Sequence, residues 1–575
     1  MGNLIPGVAP DRVGLVLPPQ VRDANLLDEG VSQLLAAFDA APGAPIASQG
    51  VVDSIVECKV PEPMPSSFEV AGQSIYMIGI GGSGMQGLAR LLRARGANVA
   101  GSEPIKSGAT DALAAEGIEI GFDQSRSELP ARCDLVVASA AIRPDHPQLL
   151  AAAERGVSVL NYAEALGRCM LNRTAVCIAG THGKSTTTSM LSCVLSDCGL
   201  KPTSIVGASC AQLGGANAKP EDQAGFGGGF VLGAEEIPLG PKAGKPGLIV
   251  AESCEFNRSF HNYNPTVAVI TSVEADHLDM YGSVDEVIKS FNVFARRIAP
   301  SEEGGLLLIA HDNAHRREVR AGVRAKVQTL GFSPSADWQV KFDSLAREAV
   351  LLDPARREVC RWTVDMPGDH NAMNSAFAAA VATHLGCDAQ KISASLSAFA
   401  GVDRRSQFIG HRAHPLGGVV RIYDDYGHHP TEVEATLRAL RDRERPELRN
   451  GRLICVFQPH QHSRTRHLLE EFAKSFEAAD VVIVPNIYFV RDSVEESQKV
   501  TAGDLVDRLR QRGVQAMHLY PFAAITESLE TQCRPGDVLV VMGAGPVNEV
   551  AYGFLRAGPH TTADGKSVAA GKAKR

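Results

Sequence analysis

The residues best suited to chemistry form a glycine-bounded turn at 180–188, which reads Gly-Thr-His-Gly-Lys-Ser-Thr-Thr-Thr. A turn that leads into a helix presents backbone N–H groups and the positive end of the helix dipole to an anion. Lys184 can neutralise a terminal phosphate, and the Ser185 hydroxyl can ligate the Mg²⁺ that accompanies a nucleoside triphosphate. The turn therefore predicts ATP binding. Its glycines are closer together than in the usual phosphate loop, so a plain strand-turn-helix is the alternative.

A second glycine-rich turn lies nearer the amino terminus. Gly79, Gly81 and Gly84 have the spacing of a dinucleotide-binding fingerprint, and Glu103 follows where an acidic ribose ligand is expected. Glycines let any pyrophosphate approach the backbone closely, so NAD and a uridine diphosphate are equally acceptable, and a structural turn is a third possibility. Two phosphate loops in one chain favour a nucleotide-linked substrate at the first and the driving triphosphate at the second.

Each turn needs a strand before it and a helix after it, and the apolar pattern predicts these elements. Buried strands are predicted at 74–78, 133–138, 173–179, 247–251 and 266–272, and helices at 86–95 and 185–195. Ser139 and Ala140 follow the second of these strands. Glu252 and His277 follow the last two, which predicts that both lie near the phosphate loop at the carboxyl ends of strands.

Length and charge restrict the kinds of protein that this chain can be. Its 575 residues, 44% of them hydrophobic, suffice for about three or four domains. A formal charge of −8 provides no general field for nucleic acid, so we expect no nucleic-acid partner. No export signal, membrane-length apolar run or Cys-x-x-Cys pair is present. We therefore expect a cytoplasmic protein with reduced thiols and no membrane insertion, while the oligomeric state stays open.

Changes in composition divide the chain into segments. The predicted units are an extension at 1–70 with a possible helix around 26–38, an α/β domain at 71–168, a central domain at 169–400, a third α/β domain at 401–557 and a disordered tail at 558–575. Strands of the third domain are predicted at 419–423, 453–457, 481–484 and 538–542. The glycine-rich segment 214–247 is predicted to be a mobile insertion in the central domain.

The motifs together resemble the ATP-dependent Mur ligases of peptidoglycan synthesis. The resemblance is carried by 79–85 (GIGGSGM), 180–186 (GTHGKST), 251–255 (AESCE), 258–260 (RSF), 276–279 (DHLD), 368–374 (GDHNAMN), 403–405 (DRR), 424–432 (DDYGHHPTE), 458–466 (QPHQHSRTR) and 542–545 (MGAG). They follow the family's order across residues 73–555, and the short phosphate loop is itself typical of the family. The resemblance implies an α/β fold with a Rossmann-like N-terminal domain, a central P-loop ATPase domain and a Rossmann-like C-terminal domain.

The resemblance also implies an ATP site. Its implied phosphate contacts are Gly180, Thr181, His182, Gly183, Lys184, Ser185 and Thr186, and its implied nucleotide contacts are His370, Asn371 and Asn374. One Mg²⁺ is implied at Ser185 and Glu252, and a second at His277. Arg405 resembles the arginine that reaches from the third domain towards ATP, a role suited to a fixed charge with several donors. The structural alternatives are a solvated Glu252, a core His277 and an ordinary asparagine helix cap.

Two substrate sites are implied as well. The nucleotide-sugar is expected at Gly79, Gly81, Gly82, Ser83, Gly84, Glu103, Ser139, Ala140 and Arg258. The amino acid and the sugar carboxylate are expected at Asp424, Asp425, Tyr426, His428, Arg464 and Arg466. Zinc binding by the neighbouring histidines is disfavoured, because Pro430 intervenes and no thiolates are paired with them. The chain departs from the family's acidic run, Glu-Ala-Asp-Glu-Ser-Asp, at Ser253, Cys254, Phe256 and Asn257, and keeps Glu252 and Glu255.

The implied reaction is amide synthesis from UDP-N-acetylmuramate, L-alanine and ATP with Mg²⁺. A free carboxylate is a poor electrophile, so it would attack the γ-phosphate, and the amine would displace phosphate from the resulting acyl phosphate. Domain closure is expected to exclude water. Catalytic roles are implied for Lys184, Glu252, His277 and Arg405, with His428 as the candidate general base.

Three other functions remain open. A ligase that recycles a tripeptide shares most motifs, although 276–281 (DHLDMY) is more similar to the alanine-adding branch. A nicotinamide-dependent oxidoreductase would explain only the first glycine-rich turn. A non-catalytic nucleotide-binding regulator would not need Glu252, His277 and Arg405 together. The choice among alanine, glycine and serine and the roles of 1–70 and 214–247 also stay open.

Overall fold

A computed structural model of the protein describes residues 67–125, 127–213, 229–490 and 492–568. These residues form three sheets with their covering helices, which we call the first, central and third domains. Within these ranges, no helix combines the length and the apolar character needed to cross a bilayer. The predicted extension at 1–66 and its helix around 26–38 lie outside the described residues.

The first domain is a parallel sheet of five strands in the order β3-β2-β1-β4-β5. The strands are β1 Ser74–Ile78, β2 Asn98–Ser102, β3 Glu119–Gly121, β4 Leu135–Ala138 and β5 Ser158–Asn161. The helices are α1 Ser83–Ala94, α2 Gly108–Ala115, α3 Pro147–Glu154 and α4 Tyr162–Cys169. Strands β1 and β4 are almost entirely apolar because helices cover both faces. The strand order reverses between them, so the first glycine-rich turn lies at a topological switch point, where such sheets bind ligands.

The central domain contains a sheet of ten strands in the order β15-β14-β13-β12-β11-β10-β6-β9-β7-β8. Its strands are β6 Thr174–Ala179, β7 Thr203–Ile205, β8 Phe230–Val231, β9 Leu248–Glu252, β10 Val267–Ile270, β11 Leu306–Ala310, β12 Lys326–Gly331, β13 Trp338–Asp343, β14 Glu348–Leu352 and β15 Glu358–Thr363. Its helices are α5 Lys184–Asp197, α6 Leu278–Tyr281, α7 Val284–Arg296, α8 Arg316–Val319, α9 Asp369–His384 and α10 Ala389–Ser397. Strands β6, β9, β10 and β11 are parallel and buried. Helices α5 and α9 share one apolar core, which brings their amino ends together.

The third domain has eight strands in the order β20-β19-β18-β21-β17-β16-β22-β23. They are β16 Gln407–Ala413, β17 Val419–Asp425, β18 Leu453–Phe457, β19 Val481–Val484, β20 Gln515–His518, β21 Val538–Met542, β22 His560–Thr562 and β23 Ser567–Val568. The helices are α11 Pro430–Glu444, α12 His462–His467, α13 Leu469–Lys474, α14 Val494–Ser497, α15 Ala502–Gln511, α16 Phe522–Gln532 and α17 Asn548–Arg556. Strands β17 to β21 are parallel, and β16, β22 and β23 extend the sheet in antiparallel fashion.

Two segments that the sequence predicted to be mobile carry structure in their described parts. Strand β8 pairs with β7 and places Phe230 against Gly87 of α1, and β22 pairs with β16. The mobile insertion at 214–247 and the disordered tail from 558 are therefore corrected for residues 229–247 and 558–568. Glycine indicates close packing here, because a Cβ at Gly233 or Gly247 would collide with neighbouring backbone atoms.

Candidate active site

The phosphate loop is held in place by close contacts with the strand beside it. Gly180 has φ 134°, and a Cβ there would collide with Thr271. The Thr181 N–H donates to the Ser272 carbonyl at 2.9 Å, and the His182 N–H donates to the Ser272 hydroxyl at 3.0 Å. Because these two amides are already used, the donors available to a phosphate are those of the first turn of α5, which a helix leaves unpaired.

Lys184, the first residue of α5, extends back over the loop. Its ammonium lies 2.9 Å from Glu255 and donates to the Gly180 carbonyl at 2.5 Å. Burial alone would lower the pKa of Lys184, but the Glu255 carboxylate raises it above the ordinary value. The lysine is therefore charged, as neutralisation of a phosphate requires.

Ser185 and Glu252 form the hydroxyl and carboxylate pair that the sequence predicted. Strand β9 ends at Glu252, and the Ser185 hydroxyl donates to its carboxylate at 3.0 Å. The other carboxylate oxygen accepts from the Gly207 N–H at 2.9 Å. Such oxygen ligands beside a phosphate loop fit the hard Mg²⁺ ion. Glu252 is therefore directed into the site, and the solvated alternative does not apply.

His277 belongs to a second cluster that could hold a cation. Ligand atoms of Glu255, Asp276 and His277 all lie within 4.8 Å of one another. Burial lowers the pKa of His277, and Asp276 partly offsets this effect, so the imidazole is neutral at physiological pH and able to coordinate. No role was predicted for Asp276, although its position in the DHLD motif beside His277 is a signal for one.

Two cavities meet at the phosphate loop. The larger, of about 680 Å³, is lined by Lys184, Glu252, His277, Tyr426, His428 and Arg464 among others. The smaller, of about 280 Å³, is lined by His182, Thr186, His370, Asn371, Asn374 and Asp425 among others. Ser185, Arg405 and Glu432 line both cavities. A nucleotide in the smaller cavity would thus place its terminal phosphate at the entrance to the larger one.

The amino end of α9 forms one wall of the smaller cavity. The Asn374 amide donates to Asn371 at 3.2 Å, and the Thr187 hydroxyl of α5 donates to Asn374 at 3.2 Å. Helix α9 has no side-chain cap, so neither asparagine is an ordinary helix cap. Burial lowers the pKa of His370 to about 4, which leaves a neutral ring in this wall.

The third domain contributes the loop after β17. Asp425 accepts the Ser406 N–H and the Gly427 N–H, both at 2.6 Å, and so fixes this loop. Neighbouring strand residues point to opposite faces, and Asp424, unlike Asp425, lines neither cavity. Burial raises the pKa of Asp424 to about 6, and the nearby Arg404 opposes this shift. The substrate contact of Asp424 stays a prediction.

Tyr426 and His428 follow in the same loop and reach the larger cavity. The Tyr426 ring lies beneath Arg405, whose guanidinium carbon is 5.0 Å from the ring centroid. Burial lowers the pKa of His428 to about 4. His428 is therefore neutral and can accept a proton, although such a low pKa makes it a weak base.

The two arginines of α12 that were predicted to contact substrate, Arg464 and Arg466, have different surroundings. Arg464 is buried and donates to Asp276 at 2.7 Å, which joins the third domain to the central one. Arg466 pairs with Glu496 at 3.2 Å and lines neither cavity. Residues two apart on a helix face different directions, so of these two arginines only Arg464 lines a cavity, and both substrate contacts stay predictions.

The first glycine-rich turn is tightly packed, with one exception. The Gly81 N–H donates to Glu103 at 2.8 Å, and a Cβ at Gly84 would lie 2.7 Å from the Tyr162 ring. Glu103 therefore holds the turn, and its role as a ribose ligand stays a prediction. Gly82 has room for a Cβ, whose nearest neighbours are at 3.6 Å, and is thus the least crowded glycine of this turn.

The other predicted sugar-nucleotide residues lie in different surroundings. Ser83 begins α1, Ser139 packs against Gly79, and Ala140 is exposed in the turn after β4. Arg258 is exposed, lies 5.0 Å from the Tyr281 ring centroid and lines neither cavity. The sugar-nucleotide contact of Arg258 stays a prediction.

His182 of the phosphate loop joins the central domain to the third domain. Its imidazole nitrogens lie 3.5 Å from Glu274 and 3.3 Å from Glu432. Burial alone would lower the pKa of His182, but the two carboxylates raise it to about 10. The side chain is therefore a buried imidazolium between two carboxylates, a role that its position in a phosphate loop did not predict.

Comparison with known proteins identifies the class of protein that this fold and site define. Three family models match: the Mur ligase family catalytic domain at 74–174, the Mur ligase middle domain at 178–382 and the Mur ligase glutamate ligase domain at 404–545. The chain belongs to the Mur ligase family, and the predicted three-domain α/β architecture is confirmed.

Individual relatives agree with this assignment. The chain is 36% identical over 487 residues to the UDP-N-acetylmuramate–L-alanine ligase of Streptomyces avermitilis, covering 84% of this chain and 96% of the relative. It is 34% identical over 486 residues to the protein of the same name from Agathobacter rectalis, covering 84% and 97%. The fold is similar to a UDP-N-acetylmuramate-alanine ligase from Thermotoga maritima, with a TM-score of 0.64, 23% identity and coverage of 84% of this chain and 98% of that one. A murein peptide ligase from Psychrobacter arcticus gives a TM-score of 0.60 with 24% identity, again covering 84% and 98%.

The charge of His182 makes stability depend on pH. Its folded-state pKa of about 10 lies above the ordinary value of 6.5, so the stabilisation is complete below pH 6.5 and is lost as the pH rises through about 10. We expect the wild-type protein to have a higher melting temperature than His182→Gln at neutral pH. The difference between the two melting temperatures should shrink as the pH approaches 10. Thermal melting of both proteins across this range is the measurement.

His384→Gln is the control for this experiment. Burial lowers the pKa of His384 to about 4, so the side chain is neutral throughout the range. The difference in melting temperature between His384→Gln and the wild type should stay constant with pH. If the difference for His182→Gln is constant as well, the buried imidazolium is contradicted.

Proposed function

We propose that this protein joins L-alanine to UDP-N-acetylmuramate, with ATP converted to ADP and phosphate. The reaction is the first peptide step in the synthesis of the peptidoglycan precursor. The observation that carries the proposal is the joint cavity at the phosphate loop, where Glu252 of the central domain faces Arg405 and Arg464 of the third domain. The chain covers nearly the whole length of two relatives that are named for the same reaction. We assign it to the cytoplasm, where ATP is available.

The two cavities suggest where the substrates bind. The smaller cavity takes the nucleoside of ATP, beside Asn371 and Asn374, and the first turn of α5 takes the phosphates. The uridine nucleotide binds at the first glycine-rich turn, and the sugar acid extends into the larger cavity. L-alanine enters that cavity from the third domain, beside His428 and Arg464. Ser185 and Glu252 would hold Mg²⁺, which would offset phosphate charge during the transfer.

Transfer of the γ-phosphate to the sugar carboxylate builds negative charge between the two cavities. Lys184 lines the larger cavity, Arg405 lines both cavities, and both side chains are positively charged. Charges that are already oriented stabilise such a transition state without reorganisation. The acyl phosphate then forms inside a cavity that two domains enclose, which limits its hydrolysis by water.

The amine of L-alanine must lose a proton when it displaces phosphate. His428 is neutral and lines the larger cavity, so we propose that it receives this proton. Its Nδ1 lies 3.1 Å from the Tyr426 carbonyl, which favours a hydrogen at Nδ1 and leaves Nε2 as the acceptor. Arg464 supplies positive charge near the amino-acid carboxylate while it stays paired with Asp276.

Release of inorganic phosphate tests the ATP site. We expect Lys184→Ala and Glu252→Gln each to lower turnover at saturating UDP-N-acetylmuramate, L-alanine and Mg²⁺-ATP by at least about 100-fold, because Lys184 offsets the phosphate charge and Glu252 would hold the Mg²⁺ that does the same. Lys566→Ala and Glu434→Gln, both at exposed positions, are the matched controls and should retain wild-type turnover. Near-normal turnover in both site variants would refute the assigned ATP site.

A bulky side chain at Gly82 tests the sugar-nucleotide site. Since the protein leaves room there, we expect Gly82→Leu to fold and to raise the KM for UDP-N-acetylmuramate by more than about 10-fold, with little change in the KM for ATP. Ala94→Leu, at an exposed position on the same helix, is the control. Tight binding of NAD without binding of a uridine nucleotide would instead favour an oxidoreductase.

Isotope transfer tests the chemical route. If the sugar carboxylate attacks the γ-phosphate, one of its oxygens leaves with phosphate when the amine adds. UDP-N-acetylmuramate labelled with ¹⁸O in its lactyl carboxylate should therefore transfer label to inorganic phosphate in complete turnover with L-alanine, as mass spectrometry can detect. Label in AMP, or product formation with unlabelled phosphate, would exclude the acyl phosphate.

A further inference from the structure

We propose that Glu432 is a positioning residue that couples ATP binding to L-alanine binding. Glu432 is the third residue of α11, and its carboxylate lies in the wall shared by the two cavities. This inference rests on the proposed function. It adds a role for Glu432, which has none in the ligand contacts or the phosphate chemistry proposed above.

One oxygen of Glu432 faces the ATP side. Its Oε1 lies 3.3 Å from Nδ1 of His182 in the phosphate loop and 3.5 Å from Nη1 of Arg405. Both partners carry positive charge, and both line the cavity assigned to the nucleotide. Any movement of the phosphate loop or of Arg405 therefore changes the electrostatic energy of this carboxylate directly.

The other oxygen faces the amino-acid side. Glu432 Oε2 accepts the backbone N–H of His428 at 2.9 Å and that of His429 at 3.2 Å, and it lies 3.4 Å from Nδ1 of the His428 ring. These contacts fix the end of the loop that presents His428 to the larger cavity. A single carboxylate thus spans the distance between the phosphate loop and the proposed proton acceptor.

The surroundings keep this carboxylate charged and in place. Burial alone would raise the pKa of Glu432, but the histidines and Arg405 around it hold the pKa well below the ordinary value. Glu274 contacts the same His182 ring and accepts the Thr431 hydroxyl at 2.6 Å, so it binds the phosphate loop to α11. Glu274 lies within this network, but its described contacts do not include Arg405 or His428.

These contacts set the direction of the coupling. Phosphates bound at the first turn of α5 attract Arg405 and stabilise the closed arrangement of the phosphate loop and α11. Through Glu432 the same arrangement orients His428, so ATP and L-alanine each favour the state that binds the other, as linkage requires. Loss of the Glu432 charge should remove this mutual effect and leave both cavities in place.

The test is the dependence of the L-alanine KM on ATP concentration, measured with UDP-N-acetylmuramate saturating. In the wild type we expect the KM for L-alanine to fall about 5-fold or more from low to saturating ATP, a typical size for coupling between sites. In Glu432→Gln this dependence should disappear, and kcat should fall at least about 10-fold because His428 is no longer held. Glu432→Asp, which keeps the charge on a shorter side chain, should recover part of the coupling.

Two further variants separate coupling from general damage. Glu274→Gln should raise the KM for ATP and retain the ATP dependence of the L-alanine KM, since the charged contact with His182 is lost while the amide oxygen can still accept the Thr431 hydroxyl. Glu434→Gln, two residues along the same helix with a 61% exposed side chain, should behave as the wild type. Should Glu432→Gln fail to fold, Glu432→Asp decides alone, and a full wild-type dependence in it would overturn the proposal.

Three results would contradict the role of Glu432. The first is that the L-alanine KM of the wild type does not depend on ATP. The second is that folded Glu432→Gln retains this dependence. The third is that Glu274→Gln loses the dependence as fully as Glu432→Gln does. A wild type that releases no phosphate with UDP-N-acetylmuramate and L-alanine would instead refute the proposed function itself. The two failures are therefore distinguishable.

Discussion

The site depends on the buried ion pair between Asp276 and Arg464. Arg464 donates to Asp276 from two nitrogens, at 2.7 and 3.1 Å, and these side chains come from different domains. Burial alone would raise the pKa of Asp276, but Arg464 holds it far below the ordinary value. Breaking such a pair leaves an unpaired buried charge, at a cost of about 3 to 5 kcal/mol. The pair therefore holds the third domain, with its proposed amino-acid site, against the central domain, with its phosphate loop.

Much of the fold could be predicted because the buried strands are continuous apolar runs. The strands at 74–78, 453–457, 481–484 and 538–542 are observed at the predicted residues, and β6 and β9 deviate by a single position at one end or both. The phosphate loop and the Ser185–Glu252 pair were also predictable, because their motif carries its own geometry. Glycine content was misleading at 229–247, where it reflects close packing of backbone rather than mobility.

The details of the site were less predictable, because they depend on side-chain direction and on contacts distant in sequence. Asp424 and Arg466 belong to the right motifs but line neither cavity, since adjacent strand residues and helix residues two apart point in different directions. Glu103 matches a ribose ligand by spacing, yet its carboxylate holds Gly81. The contacts of His182 with Glu274 and Glu432 join residues about 90 and 250 positions apart, which no local pattern reveals.

The contact of Phe230 with Gly87 has a consequence for how closely the first two domains approach each other. The phenyl ring of the central domain packs on the helix that follows the first glycine-rich turn, and a Cβ at position 87 would come within 3.3 Å of the ring. A side chain at position 87 would press against the phenyl ring, so the close approach of the first domain to the central domain depends on a glycine at this point.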